Sequence, residues 1–219
     1  VEKLPQNESI TMEPWKANFS SANALGEVGG FNKLMRPDSL EALLARENID
    51  GIDDPSTNLL AVDLGMKAGA AVFDRSGAVL TVESYRFTNC SAIGEAVHEL
   101  IKNYTIGHVV IEGADRQLFA HWKTAIEEAS SSIKLARIVA SEWREDFLTK
   151  KEKKVTTKAK KAAALIARQI LKDSGYKKKK LSSDASEALC IGRYAIRALK
   201  WVDTTVPPVV RYANGEIAT

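Results

Sequence analysis

The chain lacks the means for a disulfide-stapled or membrane-spanning architecture. Its 219 residues include two cysteines, Cys90 and Cys190, set in apolar surroundings without CxxC spacing. Two are too few for a disulfide framework, and a reducing intracellular compartment is the expectation. No run approaches the roughly 18 consecutive apolar residues of a membrane span, so no membrane partner is expected. The three histidines, His98, His108 and His121, are scattered without metal-ligand spacing, and none is given a ligand role. The first residue is Val rather than Met, the state expected of a matured or trimmed chain that has lost an organellar targeting segment. Mitochondrion, chloroplast and nucleus are the compartments in view.

What is present is enough for one substantial core. An apolar fraction of 45% over 219 residues fits a single globular domain with an appendage. The net charge of +3 hides a polarity along the chain. Residues 1–58 carry ten acidic and five basic side chains, whereas residues 150–180 carry thirteen basic and two acidic ones. The basic block comprises Lys150, Lys151, Lys153, Lys154, Lys158, Lys160, Lys161, Arg168, Lys172 and the run Lys177, Lys178, Lys179 and Lys180. Such an excess favours a polyanionic partner, the alternative being a solvated lysine-rich face.

Residues 1–57 are poorly patterned and read as an N-terminal extension with one short helix, Pro37 to Arg46, capped by Asp38 or Ser39. From residue 58 the pattern changes. Leu59 to Leu64 reads as a central strand, and Ala70–Phe73 with Ala78–Tyr85 reads as a hairpin turning at Asp74–Gly77. Ile93 to Tyr104 has helical spacing and leads into the strand His108–Glu112, which a right-handed crossover places parallel to the first and beside it. A helix Gln117–Ser130, a strand Ile133–Val139, a short amphipathic segment Ser141–Phe147, a helix Thr157–Ser174 and a final helix Ser183–Leu199, capped by Ser182 or Ser183, follow. Three domain segments result: an extension over 1–57, an α/β domain over 58–205 with its lysine-rich segment at 150–180, and a tail over 206–219.

Four carboxylates stand out. Asp63 and Glu112 each end an apolar strand, and beyond the carboxyl ends of such strands is where ligands of open α/β sheets collect. Removing a carboxylate from water must be offset by a hydrogen bond, an opposite charge or a metal. Asp184 and Glu187 lie three apart on the last helix, on one face. The helix dipole alone accounts for an acid in a first turn, but not for acids set among Ala and Leu on a helix that packs beside the Asp63 strand. Four converging carboxylates raise one another's pKa unless cations neutralise them. Mg²⁺ is the natural cation, taking oxygen ligands at about 2.0–2.1 Å, and a pair of ions about 3.5–4 Å apart can activate water against a phosphodiester.

The ordered set Leu60-Ala-Val-Asp63-Leu-Gly65, Val109-Val-Ile-Glu112-Gly113 and Ser183-Asp184-Ala-Ser-Glu187-Ala188 resembles the RuvC-type Holliday-junction resolvases of the RNase H-like superfamily. The resemblance covers residues 58–200 and implies a mixed five-stranded sheet flanked by helices. It also implies an Mg²⁺-dependent endonuclease, with Mn²⁺ as a substitute, that cuts four-way or other branched DNA, and paired cuts across a junction make a homodimer the expectation. By the same resemblance Asp63, Glu112, Asp184 and Glu187 bind two metal ions, and a lysine before the last helix, Lys158 with Lys154 in reserve, assists at the scissile phosphate. The other lysines of the block are expected to hold DNA. Glu187 departs from the Asp usual in bacterial resolvases. The lysine-rich insertion and acidic extension are similar to organellar plant and algal resolvases, and Trp143-Arg144 before a lysine-rich helix resembles a wider RuvC-like group. An RNA-directed nuclease of the same superfamily and a non-catalytic nucleic-acid-binding protein remain as alternatives. Contact surfaces for a dimer are sought in Phe119 and Trp122 and in Trp15 and Phe19, which equally fit a core. Gly65 and Gly69 serve either tight turns or close backbone approach to phosphate.

Overall fold

A computed structural model describes residues 39–44, 54–177, 180–212 and 215–218. Trp15, Phe19, Lys178, Lys179 and both ends of the helix expected over Pro37–Arg46 lie outside these residues. The centre of that helix, residues 40–44, is helical, with Leu40 and Leu43 buried in the same cluster as the last helix.

The sheet follows from the alternation and turns of the sequence. β1 (Asn58–Asp63) pairs antiparallel with β2 (Lys67–Phe73), which pairs antiparallel with β3 (Val79–Arg86). The β2–β3 turn is tied by Asp74, whose side chain accepts from the amides of Ser76 and Ala78 at 2.8 and 2.9 Å. Helix α1 (Ser91–Tyr104) crosses to β4 (Ile106–Glu112), which lies parallel to β1, and α2 (Arg116–Ala129) crosses to β5 (Lys134–Ile138), parallel to β4. Asp115 caps α2 by accepting from the amides of Gln117 and Leu118, satisfying two donors that the helix leaves open. The strand order is β3-β2-β1-β4-β5. This mixed sheet flanked by helices is the RNase H-like arrangement expected from the motif order.

Both faces of the sheet are covered. Leu60, Val62, Ala70, Val72, Val109 and Ile111 face α1 and α2. The alternate residues, Leu59, Ala61, Ala71, Phe73 and Val110, face α3 (Ala140–Phe147), α5 (Thr156–Asp173) and α6 (Ser183–Ala198), while the short α4 (Lys150–Lys153) buries none of its residues. Phe119 and Trp122 belong to the first of these cores, at 8% and 0% exposure. Of the two roles open to them, packing is the one they fill, with Trp122 edge-on to Phe87.

The basic block is not one helix. Thr149 and Glu152 form a reciprocal capping box around α4, and α5 starts afresh at Thr156. The residues after α6 fold back: Arg211 donates to Glu152 and to the Phe147 carbonyl at 2.9–3.1 Å, and buried Gln169 bonds the backbone of Val210 and Ala218. Among the described residues no helix is long and apolar enough to cross a membrane.

Candidate metal centre

Strand parity decides where the acids point. Successive side chains of a strand alternate between faces, so Asp63 shares the face of Leu59 and Ala61, and Glu112 shares that of Val110. Asp63 and Glu112 are direct partners across the parallel β1–β4 pair. Two carboxylates are therefore neighbours at the carboxyl end of the sheet, on the side covered by α3, α5 and α6.

Helix α6 brings the other two. Gly69 and Gly192 fix its line over β2. A Cβ at Gly69 would sit 2.0 Å from the Asp184 carbonyl oxygen, and one at Gly192 would sit 2.1 Å from the Phe73 ring. The eight helical residues from Asp184 to Gly192 rise about 12 Å and the four strand residues from Gly69 to Phe73 about 13 Å, so α6 runs alongside β2 and antiparallel to β1. Its N-terminus thus stands at the end of β1 that bears Asp63. Ser182 caps it, accepting from the Ala185 amide at 3.0 Å, and Ser182 is itself held by the Ser84 hydroxyl at 2.7 Å.

Asp63, Glu112 and Glu187 each offer a carboxylate oxygen, and these oxygens lie within 4.8 Å of one another. Asp184 is not in that tightest group, but its charge acts on Asp63. Burial, and then the charges of Glu187, Glu112 and Asp184, push the Asp63 carboxyl up to about 8, with Lys160 opposing. Burial also raises Glu112, the nearby Arg144 charge pulls it down, Glu187 pushes it up, and the Trp143 indole lowers it by donating toward the carboxylate. The indole Nε1 is buried and falls short of full hydrogen-bond geometry, so its contact with Glu112 is a weak one. The raised Asp63 carboxyl marks a donor set short of positive charge. Three converging hard oxygen donors fit a hard divalent cation.

The basic side chains are unevenly placed. Lys160, exposed on α5, is the lysine whose charge reaches Asp63. Lys158 is exposed two residues earlier, about 200° away around the helix, and Lys154 closes α4 as its C-cap. Lys153 is paired with Glu145. Lys150, Lys151, Lys161, Lys177 and Lys180 are exposed. A residue to which no metal-site role was given from the sequence completes the centre. Arg144 Nη2 on α3 donates to Glu187 Oε2 at 3.1 Å, with Glu187 only 6% exposed. Nothing in the spacing shows this pairing across 43 residues, although the Trp143-Arg144 doublet was visible as a motif. The close approach at Gly69 admits the backbone of α6; its importance lies in placing Asp184.

No family model matches the chain, and no curated protein matches it. Solved structures do. Thermus thermophilus RuvC in complex with a Holliday junction substrate aligns at 16% identity and TM-score 0.49, over 66% of this chain and 96% of that one. The yeast mitochondrial Holliday junction resolvase aligns at 12% identity and TM-score 0.46, over 74% and 86%. Fowlpox virus resolvase with its junction DNA aligns at 15% identity and TM-score 0.46, over 65% and 99%. Identities this low speak to the fold alone.

Proposed function

We propose that the chain is a divalent-metal-dependent endonuclease that resolves four-way DNA junctions. The observation that carries the nuclease reading is the convergence of Asp63, Glu112 and Glu187 within 4.8 Å at the carboxyl end of the sheet. Asp63, Glu112 and Glu187, with Asp184 beside them, would hold Mg²⁺ or Mn²⁺. Bound there, two such ions would activate water and stabilise the leaving oxygen of a phosphodiester.

The chain's own residues account for the rest. Lys160, whose charge already reaches Asp63, would neutralise charge developing on the phosphate, and Lys158, on the far side of the same helix, would meet the DNA backbone. The exposed lysines of residues 150–180 would track backbone phosphates without reading bases. Branched DNA is favoured because the ordered motifs resemble the resolvase branch, in which an acid ends β4. Paired cuts across a junction need two sites at fixed separation, which a twofold homodimer supplies. Retention of four acids disfavours a non-catalytic binder, since without cations they repel the phosphate backbone.

Incubation of the protein with matched four-way junction, duplex, single-stranded DNA and RNA–DNA hybrid, with Mg²⁺ or EDTA, tests this. Symmetric Mg²⁺-dependent cuts in the junction are expected. Preferred cutting of the hybrid would replace the reading with an RNA-directed nuclease, and binding without cleavage would replace it with an architectural protein.

A further inference from the structure

The Arg144–Glu187 ion pair is not needed to hold α3 on the core. Trp143 and Phe147 already bury that helix, at 0% and 2% exposure. The pair instead places a positive charge inside the carboxylate cluster. Arg144 Nη2 lies 3.1 Å from Glu187 Oε2, and Glu187 is one of the three acids whose oxygens converge. The Arg144 charge also acts on Glu112. Its Nε is buried without a hydrogen-bond partner, so the guanidinium is not held by the fork of bonds that would fix it permanently. It is 27% exposed on its side chain and can turn outward toward solvent.

A guanidinium this close to Glu187 takes the position of a cation. It commits one oxygen of that carboxylate and repels a divalent ion brought to the same group. Of the four acids, Glu187 and Glu112 feel the Arg144 charge and Asp63 feels that of Lys160. With those two positive charges in place, a single divalent ion balances the remainder, whereas a second ion needs Arg144 gone. A phosphodiester is the group best suited to draw it away, because a guanidinium pairs with phosphate through two parallel hydrogen bonds.

We infer that Arg144 is an internal counter-ion that stands in for the second cation, so that the DNA-free protein binds one divalent ion and the second site opens only when Arg144 leaves Glu187 for a phosphate. This rests on the metal-dependent reading above. It makes Arg144 a positioning residue, acting through Glu187 on the order in which cations load.

The test counts ions directly. Mn²⁺ is titrated into the DNA-free protein and followed by calorimetry and by the electron paramagnetic resonance signal of free Mn²⁺, for the wild type, Arg144→Gln, Arg144→Lys and the double variant Arg144→Gln/Glu187→Gln. Circular dichroism establishes that each is folded. One ion is expected for the wild type and for Arg144→Lys, and two for Arg144→Gln, with the second site at least tenfold tighter than any second site in the wild type. The double variant is expected to return to one ion. Two equally tight ions in the wild type, or a single ion in Arg144→Gln, would overturn the inference while leaving the metal-dependent reading intact. Failure of every form to bind Mn²⁺ would overturn both. Should Arg144→Gln not fold, Arg144→Met, which removes the same charge, takes its place and is likewise expected to bind two ions.

Discussion

Gly69 lies directly beneath the backbone of Asp184, so close that a methyl group at Gly69 would come 2.0 Å from the Asp184 carbonyl oxygen. Gly69 is also the antiparallel partner of Asp63. One missing side chain on β2 therefore allows the start of α6, with two of its acids, to reach the end of β1.

Gly69→Ala is expected to lift the N-terminus of α6 and impair the acid cluster more than it impairs the fold. Gly192→Ala, against the Phe73 ring, is expected to cost about 1–3 kcal/mol by overpacking while leaving the acids near one another. Chemical denaturation combined with Mn²⁺ titration separates the two; equal losses of metal affinity in both variants would contradict the assignment.

Asp63→Asn is expected to abolish cleavage, by a factor of about a thousand or more in rate, while junction binding stays intact or tightens. The change removes a donor from the centre of the cluster and a charge that repels phosphate. Gel assays of binding and cutting on the same junction check this, and normal Mg²⁺-dependent cutting would remove Asp63 from the mechanism.

The metal-free protein should lose stability as pH rises. Unfolded, Asp63 titrates at 3.8, and folded at about 8, chiefly because of burial and the neighbouring acids. Between these values the folded state holds a proton that the unfolded state has released. The contribution is therefore fully present below the unfolded value and is lost as pH climbs through the folded one. The loss is at most a few kcal/mol, given about 1.4 kcal/mol per pKa unit and the solvent that reaches this partly exposed group. Urea denaturation in EDTA at pH 5 and pH 8 should show it in the wild type and show a flatter response in Asp63→Asn.

Lys160→Ala is expected to slow cleavage about a hundredfold with little change in binding, and Lys158→Ala to do less. Neutralising Lys177 through Lys180 should act in the opposite way, weakening binding to every DNA form and flattening its salt dependence. Single-turnover rates and binding measured across a salt series distinguish these effects; an unchanged salt slope would mark the 177–180 run as a solvated surface.

Arg211→Ala should destabilise the fold by about 1–3 kcal/mol, since it removes the hydrogen bonds that tie the C-terminal segment to Glu152 and Phe147. Thermal melts in low and high salt check it. A change below a few tenths of a kcal/mol would show that Gln169 and the burial of Val209 and Ile217 suffice to retain the segment.

The sequence by itself determined the strands, the crossovers and the two strand-end acids. These depend on local alternation, on turn chemistry at Asp74–Gly77 and on the handedness of the chain. Parity then placed Asp63 and Glu112 on one face, because a period of two leaves no other choice. It also put Asp184 and Glu187 on one helical face by their spacing of three. Tertiary structure alone decided the rest. Whether α6 lies close enough for Glu187 to meet Asp63 depends on Gly69 and Gly192 meeting residues more than a hundred positions away. Which lysine faces the acids depends on the rotation of α5, which starts afresh at Thr156 after the helical run breaks at Lys154–Val155. The partner of Glu187 depends on α3 packing Trp143 into the core and so carrying Arg144 to the site. Periodicity fixes the direction in which a side chain leaves its own element; distances between elements are set by packing, and charge pairing across them follows from those distances.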